Sequence, residues 1–199
     1  MLARQQVANP VRILGVSGSG RTGSFNTALL EAAKRLLPEG ATLEIYDVSH
    51  FPLYNPDLER NMPAQVKKFK ELIRNSDAVI LATPEYNHSV SAVMKNALEW
   101  GNRPWGDNSW DGKPAAIISA STSMIGGARA QVHLRQILVE LNMHPVNLPQ
   151  VLVAKAHGKF SPKMELVDEG TNEILKDLLA RLVEWARALI RVETEQVLA

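Results

Sequence analysis

Around residue 20 the chain crowds hydroxyls about one arginine. In "SGSGRTGSFN", Ser17, Ser19, Thr22 and Ser24 surround Arg21, and Asn26 closes the stretch. Hydroxyls, backbone N–H groups and a guanidinium together suit a compact dianion such as a phosphate monoester, which accepts hydrogen bonds from all sides. An apolar run, residues 11–16, precedes the stretch and an Ala/Leu-rich run follows it, which puts such an anion at a helix N-terminus. Other patterns fit the same residues. "GSGRTG" is formally G-x-G-x-x-G, the turn that holds a dinucleotide pyrophosphate, and Asp47 at the end of the next strand could be its ribose-binding acid. Gly15 to Thr22 reads G-x-x-x-x-G-R-T, but an NTPase loop needs Lys where Arg21 stands. The plainest alternative is an ordinary turn with Ser24 or Asn26 capping a helix.

Two further loops carry similar signals. "TPEYNHSVSAVMKNALEW" begins at Thr83: Pro84 stiffens the turn, and Glu85 and Asn87 can offer donors and acceptors to the rim of a heterocycle. Tyr86 supplies an aromatic surface or plugs the core. "SASTSMIGGARAQVHLRQIL" places Ser119, Ser121, Thr122 and Ser123 ahead of Gly126 and Gly127. The glycine pair permits close backbone approach to a flat ligand. Arg129 either reaches that ligand or lies on the helix surface.

These loops need a frame, and the hydrophobic pattern supplies one. Short apolar runs at 11–16, 42–48, 77–83, 113–121 and 150–155 read as strands. The runs at 26–37, 64–74, 89–100, 126–141 and 171–190 have helical spacing, as in Val66, Phe69, Leu72 and Ile73. Alternating β and α units predict an α/β doubly wound three-layer sandwich. Five parallel strands favour the flavodoxin-like order 2-1-3-4-5. Ligands of such sheets bind beyond the carboxyl ends of the strands, where the loops after strands 1, 3 and 4 lie.

Composition narrows the function classes. The 199 residues suggest one domain over 1–199, with an N-terminal extension (1–10) and a C-terminal tail (191–199). Lys and Arg number 22 against 21 Asp and Glu, so no basic surface for nucleic acid is expected. Cysteine is absent, which removes disulfides and thiol redox chemistry, so any redox role needs a borrowed cofactor. The histidines show no metal-ligand spacing, so no metal is expected. No run is long enough to span a membrane, and a cytoplasmic location is the default expectation.

With the three loops in view, the chain resembles the NADPH-dependent FMN reductase family, in its bacterial chromate or quinone reductase branch, from about residue 11 to 190. The phosphate loop G-S-x-R-x-x-S-x-N is matched by Gly18, Ser19, Arg21, Ser24 and Asn26. The isoalloxazine loop T-P-E-Y-N and its K-N-A-L-E-W helix are matched at 83–87 and 95–100, and the G-G-A-R-A-Q-x-H-L-R-Q segment at 126–136. The resemblance implies noncovalent FMN, with NAD(P)H as co-substrate. Ser19, Arg21, Ser24 and Asn26 would hold the phosphate, with the Phe25 backbone. Pro84, Glu85, Tyr86 and Asn87 would line the isoalloxazine, and Ser119, Ser121, Gly126 and Gly127 would close the other side. Arg103 would stand beside the open face, near NADPH or an anionic acceptor. The implied activity is ping-pong reduction of quinones, flavins, azo compounds or metal oxyanions such as chromate, by a homodimer or homotetramer. Gly20, His88, Ser91 and Val132 depart from the family pattern and bear on acceptor preference. A flavodoxin-type electron carrier and a dehydrogenase binding NAD directly are the alternatives.

Overall fold

The computed structural model describes residues 9–198, with side chains as far as Val192. Most of the expected N-terminal extension therefore lies outside the described residues. Five parallel strand positions form the central layer. They are β1 (Val11–Ser17), β2 (Ala41–Tyr46), β3 (Ala78–Ala82), β6 (Pro114–Ala120), and a last position shared by β7 (His144–Pro145) and β8 (Val151–Val153). The order is β2-β1-β3-β6-β7, with β8 also on β6, so the expected 2-1-3-4-5 arrangement is the one found. The fifth strand expected over 150–155 is β8, and the separate β7, ahead of it in the chain, shares the same edge of β6. β7 meets Pro114 and Ala115, while β8 meets Ile118 to Ala120. Pro149, just ahead of β8, has no N–H to give a ladder.

β3 and β6 are buried along their whole length, as a sheet covered on both faces requires. Helices α1 (Phe25–Leu36) and α5 (Glu169–Leu198) cover one face, with Leu29, Leu30, Leu175, Leu179 and Leu182 in one core. Helices α2 (Ala64–Asn75), α3 (Ala92–Gly101) and α4 (Ala128–Glu140) cover the other, around Phe69, Trp100, Trp110 and Leu134. The expected tail at 191–199 is instead a continuation of α5 as far as Leu198. Among the described residues no helix is long and apolar enough to cross a membrane.

Between β3 and α3 the chain makes a small hairpin, β4 (Glu85–Tyr86) with β5 (Ser89–Val90), where the hydrophobic pattern suggested a loop running into a helix. Its two turn residues, Asn87 and His88, have φ of 48° and 63°, the left-handed geometry of a two-residue hairpin turn. The usual Asn-Gly signal is hidden because His88 occupies the glycine position.

The start of α5 is pinned by Asp168, whose carboxylate accepts from the Thr171 backbone N–H at 2.9 Å and from Lys159 Nζ at 3.1 Å. The Thr171 hydroxyl, the Lys159 ammonium and that N–H hold its pKa below the ordinary 3.8. The unfolded chain takes up this proton first as pH falls, so the contribution is complete above about pH 5 and is lost as pH drops through the folded value. Asp168→Ala should cost about 1 kcal/mol at pH 7, with the gap to wild type narrowing in urea melts as pH falls through the lowered folded value.

Candidate functional site

The carboxyl ends of β1, β3 and β6 open on one side into a shallow depression. Ser19, Arg21, Ser24, Phe25 and Asn26 line it from the first loop, Pro84 to Tyr86 from the second, and Ala120 to Thr122 from the third. A broader hollow lies at the opposite pole, beside Asn9, Pro10 and Arg187. There Arg12 is tied to Asp77, through Nη2 at 3.1 Å, and the strands present their amino ends, where this sheet type does not bind ligands.

The first loop is shaped for an anion. Ser24 is the N-cap of α1, its hydroxyl accepting from Thr27 N–H at 3.3 Å, which leaves its own proton to donate. Ser17 bonds to Thr27 Oγ1 at 2.9 Å and receives the Ser19 N–H, while the Ser19 hydroxyl has no partner among the described residues. Arg21 is exposed, lies 5.9 Å from the Phe25 ring centroid, and has no carboxylate partner among the described residues. A cation, two hydroxyl donors and the N–H groups of a helix start therefore face one place, and Glu85, the acid that shares the depression, has its carboxylate on Arg129.

The glycines of "GSGRTG" serve the protein itself. A Cβ on Gly18 would lie 2.8 Å from Ser91 Oγ and 2.9 Å from Met94 Cβ, and one on Gly20 would lie 2.7 Å from Ser49 Cβ. Gly18 is bare because α3 starts against it: Ser91 caps α3 by accepting from Met94 N–H at 3.1 Å and donates to the Gly18 carbonyl at 2.6 Å. Asp47 accepts from Ser49 N–H at 2.9 Å in a local turn. The dinucleotide pattern is thus accounted for by packing and turn geometry.

Several residues expected at a ligand are engaged elsewhere. Asn26 is buried, with both ends of its amide on Ala120: Nδ2 donates to the carbonyl at 3.0 Å and Oδ1 accepts the N–H at 2.9 Å. The Glu85 carboxylate accepts from Arg129 N–H at 3.0 Å and from the Arg129 guanidinium at 3.2 Å. It thereby caps α4, whose N-cap, Gly127, has no side chain to do so. Ser119 is fully buried and donates to Gly126 O at 2.6 Å, while Gln131 Nε2 donates to it at 2.9 Å. Gly126 and Gly127 pack closely against their own chain. A Cβ on Gly126 would meet the Leu152 carbonyl carbon at 2.6 Å, and one on Gly127 the Ser119 Cβ at 2.7 Å. With φ of 62° at Gly126 as well, Gly126→Ala should destabilise the fold by about 2 kcal/mol, read from denaturant midpoints at unchanged m.

Tyr86 stands out on the rim, 54% exposed, and is not a core plug. Asn87 is exposed at the hairpin tip. Ser121 stays at the depression and bonds Ser123 Oγ at 3.0 Å. Thr122, one of the hydroxyls noted in this loop, joins the lining together with Ala120. Arg103 lies outside the depression, its guanidinium 5.4 Å from the Tyr54 ring centroid, in a groove it shares with Trp105 and Ile137. Among the described residues no group of three His, Asp or Glu could hold a metal ion.

Residues 11–158 match the family model described as NADPH-dependent FMN reductase. The chain belongs to that family. It is 44% identical over 184 residues to an NAD(P)H-dependent FMN reductase of Pseudomonas aeruginosa, covering 92% of this chain and 99% of the relative. It is 45% identical over 179 residues to the NADPH:quinone oxidoreductase of Arabidopsis thaliana, with 86% and 90% covered. Among solved structures it is similar to FerB, a flavoenzyme NAD(P)H:(acceptor) oxidoreductase from Paracoccus denitrificans. The TM-score is 0.82 at 32% identity, over 89% of this chain and 97% of FerB. The family match covers all three loops that frame the depression.

Proposed function

We propose that this member of the family is an NAD(P)H-dependent, FMN-containing oxidoreductase that reduces quinones. The observation that carries this reading is the first loop, where Arg21, without a carboxylate partner among the described residues, meets the Ser19 and Ser24 hydroxyls and the start of α1 in the same depression as Pro84 and Tyr86. A terminal phosphate fits that donor set, and a planar ring fits beside a stiff, half-open wall with an exposed aromatic. Relatives named as FMN and quinone reductases support the same activity.

In this reading Ser19, Arg21 and Ser24 hold the phosphate, with the N–H groups at the start of α1. Pro84 and Tyr86, with the Glu85 backbone, bound the ring on one side, and Ser121 and Thr122 bound it on the other. Bound FMN supplies two-electron hydride chemistry, and the protein supplies binding, orientation and shielding. Asn26 and the Glu85 carboxylate set where the loops stand. Donor and acceptor share the open mouth beside Tyr86 and take turns there. Quinones are the principal acceptors, with free flavins, azo compounds and metal oxyanions such as chromate as further ones. A homodimer or homotetramer goes with this reading, since Trp105 is 87% exposed and Val132 and Val139 stand out on α4. So does a cytoplasmic setting.

The test is direct. Purified protein should be yellow, release FMN on denaturation, bleach with NADPH and recover colour with a quinone, and initial rates should give parallel double-reciprocal lines. Colourless protein that neither takes up FMN nor oxidises NADPH would overturn the proposal.

A further inference from the structure

We infer that Asn26 is a positioning residue and not a phosphate ligand: its side-chain amide stands in for a missing strand and locks the phosphate-side loop to the ring-side loop. The inference rests on the flavin-site reading above and deepens it.

The geometry follows from how a strand presents its backbone. The N–H and C=O of one residue point to the same side of a strand, and neighbouring residues point to opposite sides. On β6, residues 118 to 120 run alongside β8, and the next residue continues that ladder, Ser121 N–H donating to Val153 O at 2.9 Å. Ala120 therefore faces the other way, toward β3. That strand has already ended there: its last partner on β6 is Ile118, and Thr83 N–H closes the ladder on Ile118 O at 3.1 Å. Ala120 is buried, so its N–H and C=O need partners. Asn26 supplies both, accepting the N–H at 2.9 Å and donating to the C=O at 3.0 Å.

Only an amide can do this from a side chain, because it carries a donor and an acceptor in the arrangement of a peptide unit. Asp would leave the carbonyl without a donor, and Ala or Leu would leave both groups bare. The link spans 94 positions in the chain. At one end is the second residue of α1, two positions after Ser24. At the other is the residue before Ser121 and Thr122. The phosphate loop and the loop beyond β6 are thereby held at a set separation before any ligand arrives. The ligand then need not order them, which lowers the cost of binding.

FMN and riboflavin differ only in the phosphate, so their affinities separate a latch from a ligand. The affinities of wild type, Asn26→Ala and Arg21→Ala for both flavins are measured by quenching of flavin fluorescence. The expected result is that Asn26→Ala weakens both flavins by a common factor, about tenfold, and keeps the wild-type preference for FMN. Arg21→Ala should lose that preference. A selective loss of FMN in Asn26→Ala would overturn the inference in favour of a phosphate ligand. Unchanged affinities in a folded but less stable Asn26→Ala would overturn it in favour of a purely structural bond. If Arg21→Ala keeps the wild-type preference, the phosphate placement fails, while the common factor in Asn26→Ala still decides the latch. Should Asn26→Ala not fold, wild-type protein decides through amide exchange. Slow exchange at Ala120 in flavin-free protein, unchanged by inorganic phosphate, supports the latch, and fast exchange there overturns it.

Discussion

Arg21→Ala should weaken FMN binding by about a hundredfold and leave riboflavin binding within about twofold of wild type. The size follows from charge. A hydrogen bond to an ionised group contributes about 1.5–3 kcal/mol, and each 1.4 kcal/mol is about tenfold in affinity. Among the described residues Arg21 has no carboxylate to share its charge, and its Nε makes a 3.4 Å bond to the Thr22 carbonyl. The variant therefore strands no partner, and its fold should survive. Arg21→Lys should recover only part of the loss, because an ammonium cannot meet phosphate oxygens as a planar fork does. Raising the salt concentration should weaken FMN binding more in wild type than in Arg21→Ala, since the exposed guanidinium is screened. Equal losses for FMN and riboflavin would show that the phosphate does not sit at Arg21.

The second large effect lies away from the depression. Lys70 sits within the apolar stripe of α2, between Val66, Phe69 and Ile73, and its side chain is only 3% exposed. Its ammonium donates to Gly101 O at 3.2 Å, to Asp107 O at 2.8 Å and to Arg103 O, and lies 3.4 Å from the Asp107 carboxylate. The end of α3 and the loop that carries Arg103 and Trp105 are thus gathered on one cation. Lys70→Met keeps the stem and deletes every donor, leaving three carbonyls short of a partner. The expected cost is about 3 kcal/mol or more, or about 10 °C in Tm, with the loop 102–107 becoming the first site of proteolysis. Burial lowers the Lys70 pKa from 10.5, and Asp107 opposes that shift without cancelling it. Between the folded value and 10.5 the unfolded chain binds the extra proton, so wild-type stability should rise with pH relative to Lys70→Met. A Lys70→Met protein with wild-type Tm would show that the clamp carries no net stability.

Lys70 was passed over in the sequence, although helical spacing puts it beside Val66, Phe69 and Ile73. Periodicity shows which face of α2 is buried, and it says nothing about three carbonyls contributed by the end of α3 and the following loop, more than thirty positions away. Glu85 has the same lesson in another form. A carboxylate in "TPEYN" reads as a group offered to a ligand, until Gly127 proves to be an N-cap without a side chain and Glu85 fills its place. The hairpin at 85–90 was missed because Asn-His adopts a turn that sequence patterns associate with Asn-Gly. The separate β7 escaped for a related reason, since it is too short to show a period.

Local chemistry was enough to determine the frame of this protein. Runs buried on both faces had to become central strands, amphipathic runs had to cover them, and strand-to-helix turns had to collect at one edge. The hydroxyls around Arg21 were likewise legible, because an anion site at a helix start needs only neighbours in the chain. What the tertiary structure alone decided is which polar groups remain free. Asn26, Glu85, Ser119 and the Gly126–Gly127 pair are of types that bind ligands, yet each is engaged by its own chain. Arg21, the Ser19 hydroxyl and the exposed ring of Tyr86 are left over. Sequence lists the donors and acceptors a chain can offer, but satisfying its own buried backbone takes precedence, and the fold decides which of those groups keep bonding capacity to spare.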